Sequence, residues 1–449
     1  MGSIKILEVR IEFEDFAYRA PMKFRGTVVD RVTLLNVEVR GESNGETAVG
    51  FGTMPLGNVW AFPSTRLTFD ETLNAMKQLA LSIGAITEAC GIDSHPIEIN
   101  HQLEPRYLEA ALGIEAGEPI PPLCTLVVAS AFDSAIHDAY GKAARLNCYS
   151  TYGPDYVAHD LAHYLDSRFE GEYLPQYLSR QPKSSLALYH LVGALDPLTD
   201  GDLRSRVNDG RPETLEEWVR AERVDHIKIK LDGSNLAWDV DRVLAVDRVL
   251  ASIKGDAQWR YSLDFNERCE NVDYVLDCLG RVREAAPGAF EKIQYVEQPT
   301  HRDLFATGTP DMHAAAKVKP VVIDESLVNY QSLLRARELG YSGVALKACK
   351  GQSNALLMAA AAQKFGMFLC VQDLTCPGGS LVQSVGLAAH IPPITAVESN
   401  ARQYVPAANR GWDMQFPGVF HISDGRFHTG ELNGPGLGVV PAAVHTKEH

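Results

Sequence analysis

Three carboxylates and three lysines stand at or near the ends of short apolar runs in this 449-residue chain. Asp264 follows Tyr261-Ser262-Leu263, and Glu297 follows Ile293-Gln294-Tyr295-Val296. Asp324 follows Val321-Val322-Ile323, and Lys347 follows Gly343-Val344-Ala345-Leu346. Lys228 and Lys230 share the run His226-Ile227-Lys228-Ile229-Lys230-Leu231. Side chains alternate faces along a strand, so each charged residue lies opposite its apolar neighbour. Carboxylates at adjacent strand ends repel strongly at low dielectric and need a cation between them. An all-oxygen set with room for water and substrate suits Mg²⁺, with Mn²⁺ close behind. Lysines crowded by each other and by a metal are expected to have lowered pKa values and to act as bases. A metal holding a substrate carboxylate would stabilise the enediolate formed when its α-proton leaves. The expected partner is therefore a small-molecule carboxylate.

Such a cluster needs a scaffold that brings strand ends together. Eight apolar runs, 186–192, 226–231, 261–264, 293–297, 321–324, 343–347, 367–371 and 394–398, read as strands. Helical periodicity fills the gaps at 214–222, 239–254, 272–283, 304–317, 331–339, 353–365 and 380–390. Alternation of this kind predicts α/β architecture, a closed (β/α)₈ barrel over 185–402 with its active site at the C-terminal strand ends. No GxGxxG follows a strand, which places an open doubly wound sheet second. Ahead of the barrel, 1–153 reads as an α+β capping domain, with strands at 4–13, 33–39 and 47–51 and a helix at 129–144. Phe16 to Met22 reads as an aromatic loop. Residues 154–184 have no clear period and read as a connecting or inserted segment, and 403–449 as a tail packing on the cap or the barrel.

Composition narrows the partners. A formal net charge of -15 argues against nucleic acid, which needs a basic face. No apolar run reaches membrane-spanning length. The opening MGSIKILEVRIEF alternates like a strand and lacks a secretory pattern. Eight cysteines without CxxC spacing read as reduced thiols, so a cytoplasmic location is expected, and a homo-oligomer with it. Glu325, Asp373 and Glu398 read as supporting or substrate-contacting groups, Glu267, Glu270 and Asp273 as helix-start solvation, and His301 as a loop residue.

These motifs resemble the enolase superfamily in its muconate-lactonising and mandelate-racemase branch. The resemblance rests on Lys228-x-Lys230, Asp264-x-Asn266, Glu297-Gln298-Pro299, Asp324-Glu325-Ser326 and Leu346-Lys347, and on the helix Ala131 to Lys142. It implies Mg²⁺ on Asp264, Glu297 and Asp324, with Lys230 and Lys347 as opposed acid/base groups and Lys228 as an electrostatic aid. It also implies that the cap closes the barrel through loops near 16–25 and 53–60. Strand seven has no His paired with a strand-six Asp, and strand eight lacks Asp-x-Asp. Lys350-Gly351-Gln352 stands where Lys-x-Gly-Gly is usual. The expected activity is racemisation or epimerisation, ahead of cycloisomerisation or acid-sugar dehydration on the same site. A metal-independent Schiff-base lyase on Lys347 and a non-catalytic binding protein stand behind these.

Overall fold

The structure, a computed structural model, describes residues 2–24, 27–255 and 258–438. Eight parallel strands form the barrel: Ser185–Val192, His226–Lys230, Arg260–Asp264, Ile293–Glu297, Val321–Ile323, Gly343–Leu346, Phe368–Val371 and Ala396–Glu398. They neighbour one another in chain order, and the eighth closes on the first with Val397 opposite Leu188. Both faces of such strands are covered, so apolar side chains fill one face and the interior fills the other. In the second strand Ile227 and Ile229 are fully buried toward the helices, and Lys228 and Lys230 lie on the inner side.

The barrel interior is packed below the mouth. Tyr295, Val322, Ala345, Cys370 and Ala396 pack with Ala187 and Tyr189 into one buried cluster. Two residues further along the same strands, on the same inward face, come Glu297, Asp324, Lys347, Gln372 and Glu398. Below this level the barrel holds an apolar plug, and above it a charged ring.

Ahead of the barrel, Ile4–Phe24, Thr27–Ser43 and Glu46–Pro55 form an antiparallel sheet with the short strand Asp93–Ser94. The helix Pro122–Ala144 lies across this sheet. Gly50 and Gly52 permit the approach: a Cβ on Gly52 would stand 1.9 Å from the Ala131 carbonyl oxygen. The aromatic stretch expected as a loop is part of a long strand, with a register shift between Ala17 and Met22. Phe16 and Tyr18 pack there on Val32, Leu34 and Val405, which gives the extension an apolar reason to stay paired. Arg25, at the end of the expected loop, lies outside the described residues.

Barrel helices follow the expected spacing with one correction. The helix expected at 304–317 is reduced to His313–Ala316. Gly308 adopts φ +81° and Pro310 follows two residues later, so the chain before Asp311 cannot hold a helical ladder. After the barrel, the strand Arg426–His428 runs antiparallel to Ser185–Ala187. Leu437 N donates to Asp138 Oδ1 of the long cap helix at 3.0 Å, so the described part of the tail touches both units. Residues 439–449 lie outside the described residues.

Candidate active site

The strands bring Lys228, Lys230, Asp264, Glu297, Asp324 and Lys347 into one mouth. Register does much of this: Lys230 pairs with Asp264, and Asp264 with Glu297, across three consecutive strands. Lys228 sits one layer lower and reaches upward. Its Nζ lies 2.8 Å from Glu297 Oε1, 3.0 Å from Glu398 Oε2 and 3.2 Å from Asp264 Oδ2. Lys230 Nζ donates to Asp264 Oδ2, whose other oxygen accepts from Asn266 N at 2.8 Å. On the far side Lys347 Nζ lies 2.9 Å from Asp324 Oδ2 and donates to the Asp373 carbonyl at 3.1 Å. Gln372 Nε2 donates to Glu297 Oε2.

Burial makes these charges consequential. Asp264, Glu297, Asp324 and Lys228 are each no more than 1% exposed. Burial and the neighbouring Asp264 push the Glu297 carboxyl up to about 8. Burial also raises Asp264 and Asp324, but the lysines beside them outweigh it and hold both below the usual carboxylate range. Burial and Asp324 lift Glu325 to about 7. Burial and Glu398 lift Asp373 to about 6.

The lysines correct one expectation. Burial alone would lower Lys228 and Lys347, yet the surrounding carboxylates more than offset it, and both pKa values are raised. Crowding by opposite charge wins over crowding by like charge here, because each ammonium has a carboxylate within salt-bridge distance. Lys350 does fall, through burial.

Several participants were not assigned from the sequence. Lys350 Nζ lies 3.2 Å from Asp324 Oδ1. It is carried back toward the strand end by the 3₁₀ turn Ala348–Lys350, and Gly351 at φ +98° ends that turn. Glu398, expected as a supporting or substrate-contacting group, is a partner of Lys228. Glu267 is a correction: it is buried and paired with Arg302 at 2.6 Å rather than solvated. Trp60 roofs the mouth from the short helix Asn58–Ala61. Its indole Nε1 donates to Glu325 Oε1 at 3.0 Å, and its ring faces Lys347 Nζ at 4.6 Å.

The donor set fits a hard divalent cation. Asp264, Glu297 and Asp324 offer carboxylate oxygens alone from three adjacent strands. Glu325 Oε2, next in chain to Asp324, is buried without a hydrogen-bond partner among the described residues. The three carboxylates are not drawn together to mutual ligand distance; Lys228 stands between Asp264 and Glu297, and Lys347 and Lys350 hold Asp324.

The mouth opens into a pocket whose empty space, about 690 Å³, includes open solvent. Lys228, Lys230, Asp324 and Lys347 line its floor, and Tyr18, Phe24 and Trp60 of the cap line its roof.

A barrel closed by eight strands, with carboxylates and lysines at its mouth and an antiparallel cap above, is the architecture of the enolase superfamily. Residues 211–443, more than half of the chain, match the enolase C-terminal domain-like family, and the chain belongs to it. Solved structures share the fold over nearly the whole length. The dipeptide epimerase from Enterococcus faecalis V583, complexed with Mg and L-Leu-L-Tyr, is 17% identical with a TM-score of 0.65, over 97% of this chain and 99% of that one. A racemase from Streptomyces coelicolor A3(2) with bound magnesium is 18% identical with a TM-score of 0.62, over 97% of each chain. The muconate lactonizing enzyme from Pseudomonas fluorescens, complexed with muconolactone, is 17% identical with a TM-score of 0.60, over 97% of this chain and 96% of that one. No protein of curated function matches the sequence. Among the described residues, no helix is long and apolar enough to cross a membrane.

Proposed function

We propose that the chain is a Mg²⁺-dependent enzyme that moves the α-proton of a small carboxylate, as a racemase or epimerase. The observation that carries this reading is the placement of Lys230 and Lys347 on one pocket with Asp324 between their strands in the barrel order. Asp264, Glu297 and Asp324 would hold the cation. When bound, it would neutralise charge that builds on the substrate carboxylate as the α-proton leaves.

The chain's own residues do the rest. One lysine, neutral once released from its carboxylate partner, takes the α-proton and becomes an ammonium. The other, as an ammonium, returns a proton to the opposite face, and the configuration inverts. Lys347 is held by Asp324 Oδ2 and the Asp373 carbonyl, and the Trp60 ring limits where its Nζ can move. Lys228, shared between Glu297 and Glu398, balances charge and takes no part in proton transfer. The cap residues Tyr18, Phe24 and Trp60 roof the pocket above the reacting carbon, and the less water they admit there, the stronger each of these interactions becomes.

The two lysines are not equivalent, and this supports a second reading. Lys347 has two oxygen partners and an aromatic face, whereas Lys230 has Asp264 and the Phe24 ring at 5.5 Å. One base and one fixed cation suffice for cycloisomerisation or loss of water. Incubation of the enzyme in D₂O with both stereoisomers of N-acyl amino acids, dipeptides and acid sugars separates the readings. Deuterium at the α-carbon with interconversion of isomers supports racemisation or epimerisation. Consumption with a new double bond or ring supports the second reading. Unimpaired turnover in EDTA excludes both.

A further inference from the structure

Away from the barrel mouth, Glu98, His159 and His163 bring three ligand atoms within 4.8 Å of one another. Local structure places each of them. Glu98 lies in the first turn of the helix Pro96–Leu112 and is buried. His159 and His163 bracket the N-cap of the helix Leu161–Tyr164. Asp160 fixes that bend, accepting from Ala162 N at 3.1 Å and from Gly171 N at 2.7 Å. The two imidazoles then lie face to face, with ring centres 4.1 Å apart and planes 22° from parallel.

The carboxylate is aimed rather than free to rotate. Gln102 Nε2 donates to Glu98 Oε1 at 2.7 Å, and Tyr164 OH donates to Oε2 at 3.0 Å. His163 Nε2 stands 3.3 Å from Glu98 Oε2. Two ligands each about 2.0–2.1 Å from a tetrahedral zinc ion stand about 3.3–3.4 Å apart. His101, three residues after Glu98 on the same helix, brings its ring to 5.2 Å from that of His163. A Glu98–His163 ion pair accounts for one contact. His159 lies outside that ion pair, yet one of its ring nitrogens falls within the same 4.8 Å cluster.

We propose that Glu98, His159 and His163 bind a divalent transition-metal ion of the zinc class, with His101 or water as the fourth ligand. Imidazole donors with one carboxylate suit zinc and disfavour the oxygen-seeking Mg²⁺, so the site is chemically separate from the barrel mouth. Its role is structural. Glu98 belongs to the cap, whereas the segment carrying the histidines continues to the barrel, where Glu172 pairs with Lys364 at 2.6 Å and Ser179 N donates to the His390 carbonyl at 2.8 Å. The ion would staple the cap helix to that connection. Ligand lone pairs must be free, so binding weakens as the histidines protonate.

The test uses the full chain, stripped with EDTA and reloaded with Zn²⁺ in excess Mg²⁺. Metal content after dialysis, the rise in melting temperature with Zn²⁺ and the visible spectrum of the Co²⁺ form are the readouts. Wild type and the mouth variant Asp264→Asn/Asp324→Asn should each keep one zinc and a tetrahedral Co²⁺ spectrum. His159→Ala/His163→Ala should lose both, and Glu98→Gln should weaken binding at least about tenfold. The histidines are exposed, so their loss should leave the fold intact; circular dichroism checks this, and Glu98→Gln gives an independent result should the double variant misfold. Zinc content unchanged in both site variants overturns the proposal. So does zinc lost only from the mouth variant, or no zinc kept by wild type.

Discussion

Lys228 Nζ lies 2.8 Å from Glu297 Oε1, beneath the ring of charges that forms the barrel mouth. The same ammonium reaches Glu398 Oε2 and Asp264 Oδ2, so one lysine serves three buried carboxylates. Removing it leaves uncompensated charge in a low dielectric. Lys228→Met should cost about 3–5 kcal/mol of stability without divalent cation, as loss of one partner from a buried ion pair does. Urea denaturation measures this, and added Mg²⁺ should recover part of the loss. A loss below about 1 kcal/mol would mean that solvent reaches the cluster.

The metal assignment rests on Asp264, Glu297 and Asp324. Asp264→Asn, Glu297→Gln and Asp324→Asn should each weaken Mg²⁺ binding in calorimetry by at least about tenfold, since each removes an anionic ligand. Unchanged affinity in all three would place the cation elsewhere.

Trp60 joins the cap to the chemistry. Trp60→Phe keeps an aromatic face near Lys347 but loses the hydrogen bond to Glu325. The buried acceptor left behind should cost about 1–3 kcal/mol of stability, with the larger effect on turnover in Trp60→Ala, where the face is lost as well. Equal turnover in wild type and Trp60→Ala would remove the cap from the reaction.

A pH effect comes from outside the mouth. His390 stacks on Tyr149 with ring centres 3.5 Å apart, and burial lowers its pKa to about 4. The unfolded chain, with an ordinary histidine near 6.5, binds the extra proton between these values. Stability from the neutral ring is therefore complete above the unfolded value and falls as pH drops from about 6.5 to about 4. One such group contributes a slope of about 1.4 kcal/mol per pH unit. His390→Gln should flatten the stability curve in that window by about this amount, and an unchanged slope would show that the ring is not kept neutral by folding.

The barrel is legible because its strands are short apolar runs, the second to the sixth with a charge at or next to the C-terminal end, and period-two parity puts Asp264, Glu297 and Asp324 inward. What the sequence concealed depends on contacts between distant segments. The stretch around Phe16 and Tyr18 looked like a loop because its strand partner, Thr27–Val32, and its apolar cover at Val405 come from elsewhere in the fold. The direction of the lysine pKa shifts is hidden from the sequence for a related reason. Strand parity gives the face on which a lysine lies, but not that Asp324 stands 2.9 Å from Lys347. The periodicity of 304–317 exceeds the helix His313–Ala316 because Gly308 and Pro310 break the ladder before it.

The central claim is that Lys230 and Lys347 address opposite faces of one α-carbon. Proton NMR in D₂O, with Mg²⁺ and a racemisable or epimerisable carboxylate turned over by wild type, tests it most directly. Lys230→Ala and Lys347→Ala should both lose interconversion while keeping Mg²⁺ affinity. Each should still exchange the α-proton of one stereoisomer, and the two variants should retain opposite isomers. Full interconversion by Lys347→Ala, or exchange of both isomers by a single variant, would contradict the account.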